Sequence, residues 1–195
     1  MDRWQALEGG PLMIATGEVM LIVCSLSYLV WWTIRFRPSV RTPPGGGLFL
    51  AGAVLGGLGG LILLAVGIAA LLPKASSLAL GATIVGGVLV GALLLYVTSS
   101  VAHRPVTTEL PLIVVWATVQ LAAGITLWTA GVLSAPAASA WIVATAIATL
   151  VGLACYLIFY RLAPIPAYWI GMVPLAVDGV VAAILAAIVT LTRGA

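Results

Sequence analysis

Six uninterrupted apolar stretches, at roughly 12–34, 48–72, 78–100, 111–133, 138–160 and 168–191, constrain this chain more than any other feature. A helix rises about 1.5 Å per residue, so about 20 apolar residues cross the hydrocarbon of a bilayer. Every stretch is long enough. Each must be helical, because hydrocarbon offers no partner to a free backbone N–H or C=O. Transmembrane β-strands would be short and alternating, and these runs are continuous. The expected fold is therefore all-α: a polytopic transmembrane bundle of six spans, forming one membrane domain over residues 1–195.

Composition agrees. Of the 195 residues, 63% are hydrophobic and 7% charged, whereas soluble domains carry about a quarter charged residues. The breaks between runs hold turn chemistry: Pro38 with Thr42-Pro43-Pro44-Gly45-Gly46-Gly47, Pro73-Lys74, His103-Arg104-Pro105, Ser134-Ala135-Pro136 and Pro164-Ile165-Pro166. Pro11-Leu12 and Pro111-Leu112 stand at the openings of the first and fourth runs. With the pairs Val19/Val119 and Leu21/Leu121, they hint at two related halves, although the match fades in the other runs. The N-terminus lacks the basic segment of a signal peptide and is expected to be retained.

Charge gives an orientation. Arg35, Arg37, Arg41, Arg104 and Arg161 fall in the first, third and fifth connections; Arg3, Lys74 and Arg193 fall on the other side. Lys and Arg accumulate on the cytoplasmic face. The expected location is a bacterial inner membrane, with the odd connections inside and both termini outside. The net charge of +3 arises from cations beside spans, so nucleic acid is not an expected partner. The run Trp31-Trp32-Thr33-Ile34-Arg35-Phe36-Arg37 reads as a headgroup anchor. Cys24 and Cys155 lie within apolar runs and read as small buried side chains, with no disulfide framework.

Polar residues inside the spans are the candidates for function. Asp178 lies near the middle of the sixth run, within Val-Pro-Leu-Ala-Val-Asp-Gly. An ionised carboxylate at that depth costs roughly 3 kcal/mol or more on insertion scales, so it must be neutral, paired or facing a wet cavity. Pro174 precedes it by one turn and leaves the carbonyl of Ile170 without a helical donor. A proline break beside a carboxylate suits the discontinuous helices that bind ions or substrates in transporters. Glu18 lies about a third of the way into the first run; Ser25 and Trp32 follow it on one helical stripe, a polar path toward Arg35. Gln120, mid-way along the fourth run, could bond Asp178 or Glu18 across the bundle. Asp178, Glu18, Gln120 and Pro174 are thus the candidate ion- or substrate-binding residues.

Other chemistry finds little footing. His103 is the only histidine, and haem or zinc sites in a bundle need several such ligands. Gly45-Gly46-Gly47 lacks the Lys-Ser/Thr ending of a phosphate loop. Ser99, Ser100 and His103 are neighbours in sequence, which alone does not make a nucleophile and base. No catalytic residue, metal or cofactor is expected. Small residues recur at four-residue spacing: Gly52, Gly56 and Gly60; Gly87 and Gly91; Gly179, Ala183 and Ala187, with Ala182 and Ala186 beside them. Such faces bring helices close, either within the bundle or against a second copy or a partner subunit. The expected function is a transporter or channel component for a small solute or ion. The alternatives are a non-catalytic subunit of a larger membrane complex and, third, a membrane enzyme whose buried acids protonate a lipid or isoprenoid.

Overall fold

The computed structural model describes residues 3–37, 45–101, 103 and 106–193, with the side chains of 3–8 and 193 left aside. Arg41, Arg104 and Pro105 therefore lie outside the described residues. Six helices follow one another: α1 (Arg3–Phe36), α2 (Gly46–Leu71), α3 (Ser77–Tyr96), α4 (Glu109–Thr129), α5 (Ala135–Phe159) and α6 (Pro164–Arg193), with one π-helical turn, Val97–Val101, extending α3. No strand occurs among the described residues. All six are long and apolar enough to cross a bilayer, and the chain is an integral membrane protein.

Local chemistry sets the helix ends. Ser76 and Ser134 cap α3 and α5, their hydroxyls accepting from the N–H groups of Ala79 and Ala137. Gly131 turns the short α4–α5 connection with φ +79°, a value that side-chain-bearing residues rarely adopt. Two expectations need correction. The first helix opens earlier than Pro11-Leu12: α1 starts at Arg3 and runs through Gly9-Gly10-Pro11, with Gly10 packed against Gly67 and Leu71 of α2. Pro174 does not break α6 either: the helix is continuous from Pro164 to Arg193.

Five helices close a ring in the order α1, α2, α4, α5, α6, and α3 stands outside it against α4. The seams are glycine seams. A Cβ on Gly17 would meet the carbonyl oxygen of Gly60 at 3.0 Å, and one on Gly56 would meet the backbone N of Cys24 at 2.8 Å. With no hydrophobic effect between spans, this close approach is what holds helices together. Gly87 packs on Thr118, Gly91 on Val114 and Gly179 on Ser25, so these small residues serve contacts within the bundle. On α6 the buried stripe is Val181, Ala182, Leu185, Ala186 and Val189, whereas Ala183 and Ala187 face outward. The hints of two related halves do not extend to packing: α6 contributes to the core, and α3 buries no residue.

The core occupies one end of the ring. Ile14, Leu64, Leu71, Ala123, Leu127, Trp141, Ala182, Leu185 and Val189 form one cluster. All of them lie toward the starts of α1 and α5 and the ends of α2, α4 and α6. The other end, where the first, third and fifth connections lie, is not filled in this way.

Candidate functional site

A cavity of about 530 Å³ occupies that second end. From α1 it is lined by Leu21, Cys24, Ser25, Tyr28 and Trp32, which recur at three- and four-residue steps and so share one stripe. From α6 come Ile170, Gly171, Pro174, Leu175 and Asp178, again one face. Glu109, Ile113 and Trp116 of α4 and Thr149, Gly152, Tyr156 and Phe159 of α5 complete the inner wall. Between α2 and α4 the wall is thin. Val54, Leu58, Leu112 and Val115 line the cavity there and remain 48–63% exposed.

The antiparallel packing of α1 on α6 sets the depth of each group. Gly171 lies against the ring of Trp32, and Gly179 against Ser25. Asp178 is therefore level with Ser25, near the cavity floor, and Trp32 is near its mouth. Asp178 makes no hydrogen bond or ion pair to any described residue. Pro174 and Ile170 both line the cavity, so the carbonyl that proline leaves without a helical donor belongs to the same wall. At the rim stands Glu109, exposed in the first turn of α4 and within electrostatic reach of Tyr28.

Glu18 and Gln120 sit elsewhere. Both are 0% exposed, and the Nε2 of Gln120 donates to Glu18 Oε2 at 3.1 Å. Trp141 Nε1 donates to the backbone carbonyl of Gln120 at 2.8 Å, joining α5 to the pair. Glu18 Oε1 and Gln120 Oε1 have no partner. Glu18 lies about two turns beyond Ser25, roughly 10 Å along the helix axis. The stripe Glu18, Ser25, Trp32 thus divides: Ser25 and Trp32 line the cavity, and Glu18 is sealed beyond its floor. The four candidates form two sites, Asp178 with Pro174 and Glu18 with Gln120.

An aromatic collar surrounds the mouth. Trp32 meets Phe36 at 4.5 Å and Phe159 at 6.1 Å between ring centroids, and Tyr160 meets Phe159 at 5.2 Å and Tyr156 at 6.0 Å. Trp32 also donates from Nε1 to the carbonyl of Tyr168 at 3.1 Å. It is a part-buried wall of the cavity and a brace between α1 and α6, more than a headgroup anchor. Cys24 and Cys155 are free thiols that both line the cavity, a position their apolar neighbours in sequence do not reveal. Sequence reading also passed over Glu109, Tyr28, Thr149 and Tyr156. The signal for Tyr28 was present in its spacing from Leu21, Ser25 and Trp32 on one stripe; Glu109 reads from sequence only as an acid at a helix start.

Among the described residues, no three His, Cys, Asp or Glu side chains gather as metal ligands. His103 lies in the third connection, exposed, with φ +48°. Compared with known proteins, the chain matches no family model, no curated protein and no solved structure.

Proposed function

We propose that this protein is a transporter or channel component that receives a small solute or ion in the cavity around Asp178. One observation carries the reading: a carboxyl group near the middle of a span faces a cavity of about 530 Å³ with no described residue paired to it. Intramembrane carboxylates are costly, and they concentrate where a substrate or an ion meets them. Cavities of a few hundred Å³ hold small molecules. The mouth lies on the side of Arg37 and Arg161, which the distribution of cations makes the cytoplasmic side. In this reading the membrane is a bacterial inner membrane, with both chain ends outside. The Glu18–Gln120–Trp141 group closes the far end, so passage requires that seal to open.

Uptake of radiolabelled sodium, methylammonium and glycerol, and of ethidium, into proteoliposomes tests the proposal. At least one should enter faster than into protein-free vesicles, and Asp178→Asn should slow it at least five-fold. If none of the four enters, or if the variant leaves the rate unchanged, the reading is wrong.

A second reading, a subunit of a larger membrane complex, draws on α3. This helix packs chiefly on α4, and nothing lies within 4 Å of a Cβ placed on Gly81 or Gly86. Mass analysis after extraction in mild detergent separates the two readings. A stoichiometric companion chain favours the subunit; a chain running alone excludes it.

A further inference from the structure

We infer that the cavity is a binding site for organic cations with an apolar body, a substrate class that deepens the transport reading and rests on it. Asp178 at the floor and Glu109 at the rim both line the cavity, and among the described residues no Lys, Arg or His does. The described arginines of that end, Arg35, Arg37 and Arg161, are exposed beyond the rim, where counter-ions screen them within about 8–10 Å. Glu109 is exposed at the rim and Asp178 stands at the floor, so any charge on the wall's own side chains is negative, and an arriving cation favours the ionised form of Asp178.

The second argument is the aromatic surface. Tyr28, Trp32, Trp116 and Tyr156 line the same space. The face of an aromatic ring carries negative potential and attracts quaternary ammonium and similar cations. A bare metal ion would leave most of this wall unused, and a small hydrated ion would find few oxygens in it. A cation with a bulky apolar body matches both the rings and the aliphatic remainder.

The third is access. The thin wall between α2 and α4 leaves Val54, Leu58, Leu112 and Val115 lining the cavity while substantially exposed. A lipophilic cation dissolved at the headgroup level can enter through that apolar gap, with its charge moving toward Asp178. Anions are disfavoured by the same carboxylates.

Tetraphenylphosphonium and tetraphenylborate have the same shape and opposite charge, so together they isolate the electrostatic claim. Binding of each is measured to the purified full chain in phosphatidylcholine nanodiscs, with empty nanodiscs subtracted for partition. Tetraphenylphosphonium should bind saturably, at one site per chain. Asp178→Asn should weaken it at least ten-fold, Glu109→Gln about three-fold, and Asp178→Glu less than three-fold. Tetraphenylborate should show no saturable component. Absence of a saturable phosphonium site on folded protein, equal affinity for the borate, or indifference to Asp178→Asn each overturns the inference. A correctly folded Asp178→Glu that binds no better than Asp178→Asn does the same. Transport and cation binding also fail separately. Phosphonium binding without flux of any of the four test solutes retains the site and removes the transport reading. Glycerol flux that excess phosphonium does not inhibit retains transport and removes the cation site.

Discussion

The two ends of the helix ring are built from the same apolar alphabet and come out opposite. At the end nearer the starts of α1 and α5, α1 and α2 meet glycine to glycine, Gly10 with Gly67 and Gly17 with Gly60, and Gly124 of α4 takes the ring of Trp141. Backbones approach closely there, and Ile14, Leu64, Leu127 and Leu185 fill the middle. At the other end the facing residues are Tyr28, Trp32, Trp116, Tyr156 and Phe159. These rings line the space that remains between the helices. The two mid-span carboxylates follow this division. Glu18, in the closed end, is hydrogen-bonded to Gln120 and shut away; Asp178, in the open end, has no partner among the described residues. The lesson is that depth in the membrane does not decide what a buried acid does. What decides it is whether the surrounding helices close upon it.

If glycine seams make the closed end, a side chain forced into one should have the largest effect. Gly67 is the sharpest case: an added Cβ would meet Ile14 Cγ1 at 2.6 Å and the carbonyl oxygen of Gly10 at 2.8 Å. The second contact is with backbone and cannot rotate away. Gly67→Val should cost about 3 kcal/mol or more, the upper range for overpacking, seen as a lower thermal midpoint in detergent or as loss of folded protein. Gly86→Val, on α3 with no atom within 4 Å, is the matched control and should change little. Equal effects at the two positions would mean that the seam does not hold the closed end.

The open end can be tested with the native thiols. Cys24 and Cys155, the two cysteines of the chain, line the cavity. A water-soluble maleimide should label both in the folded protein. A cysteine placed at Ala123 or Ala182, each 0% exposed in the core, should react about 100-fold more slowly, because it waits for local opening. Comparable rates would erase the distinction between the ends.

The Glu18–Gln120 pair is expected to have a smaller effect. Glu18→Leu strands the Gln120 amide in the core and should cost about 1–2 kcal/mol, the scale of hydrogen bonds within membranes. Glu18→Gln should cost nothing or gain slightly. An amide at position 18 can still accept from Gln120 Nε2, and it supplies an N–H for Gln120 Oε1, which has no partner. Thermal unfolding of the two variants side by side gives the answer; if Glu18→Gln is as unstable as Glu18→Leu, the pair is not a simple structural hydrogen bond.

Much of this was legible in the residues. Six apolar runs fix six helices, because the physics of hydrocarbon leaves no other spanning structure for them. The expense of Asp178, Glu18 and Gln120 marks them from sequence alone. Their partition into two sites was not legible, since helix order around a ring depends on which glycine stripe meets which. The small-residue stripe of α2 is visible at Gly56 and Gly60, yet its counterpart on α1, Gly10 and Gly17, is spaced by seven and does not stand out as a stripe. That missed pairing conceals the register of α1 against α2. The division of α6 into a buried stripe at Ala182 and Ala186 and an outward one at Ala183 and Ala187 was equally hidden, because alanines on both faces look alike in sequence.

The smallest expected effect separates the two acids most cleanly. Asp178→Asn removes a carboxyl group that pairs with no described residue, while keeping nearly the same shape at the cavity wall. Its effect on thermal stability should fall within about 0.5 kcal/mol, the range of substitutions away from packed or bonded features. A structural acid behaves otherwise: truncating one partner of a buried hydrogen bond leaves the other unsatisfied and costs about 1–3 kcal/mol. If Asp178→Asn unfolds the protein as readily as Glu18→Leu, Asp178 is held by a contact that organises the fold. A stable variant that has lost its solute places the residue on the side of function, because the bundle then has no need of the charge that it carries.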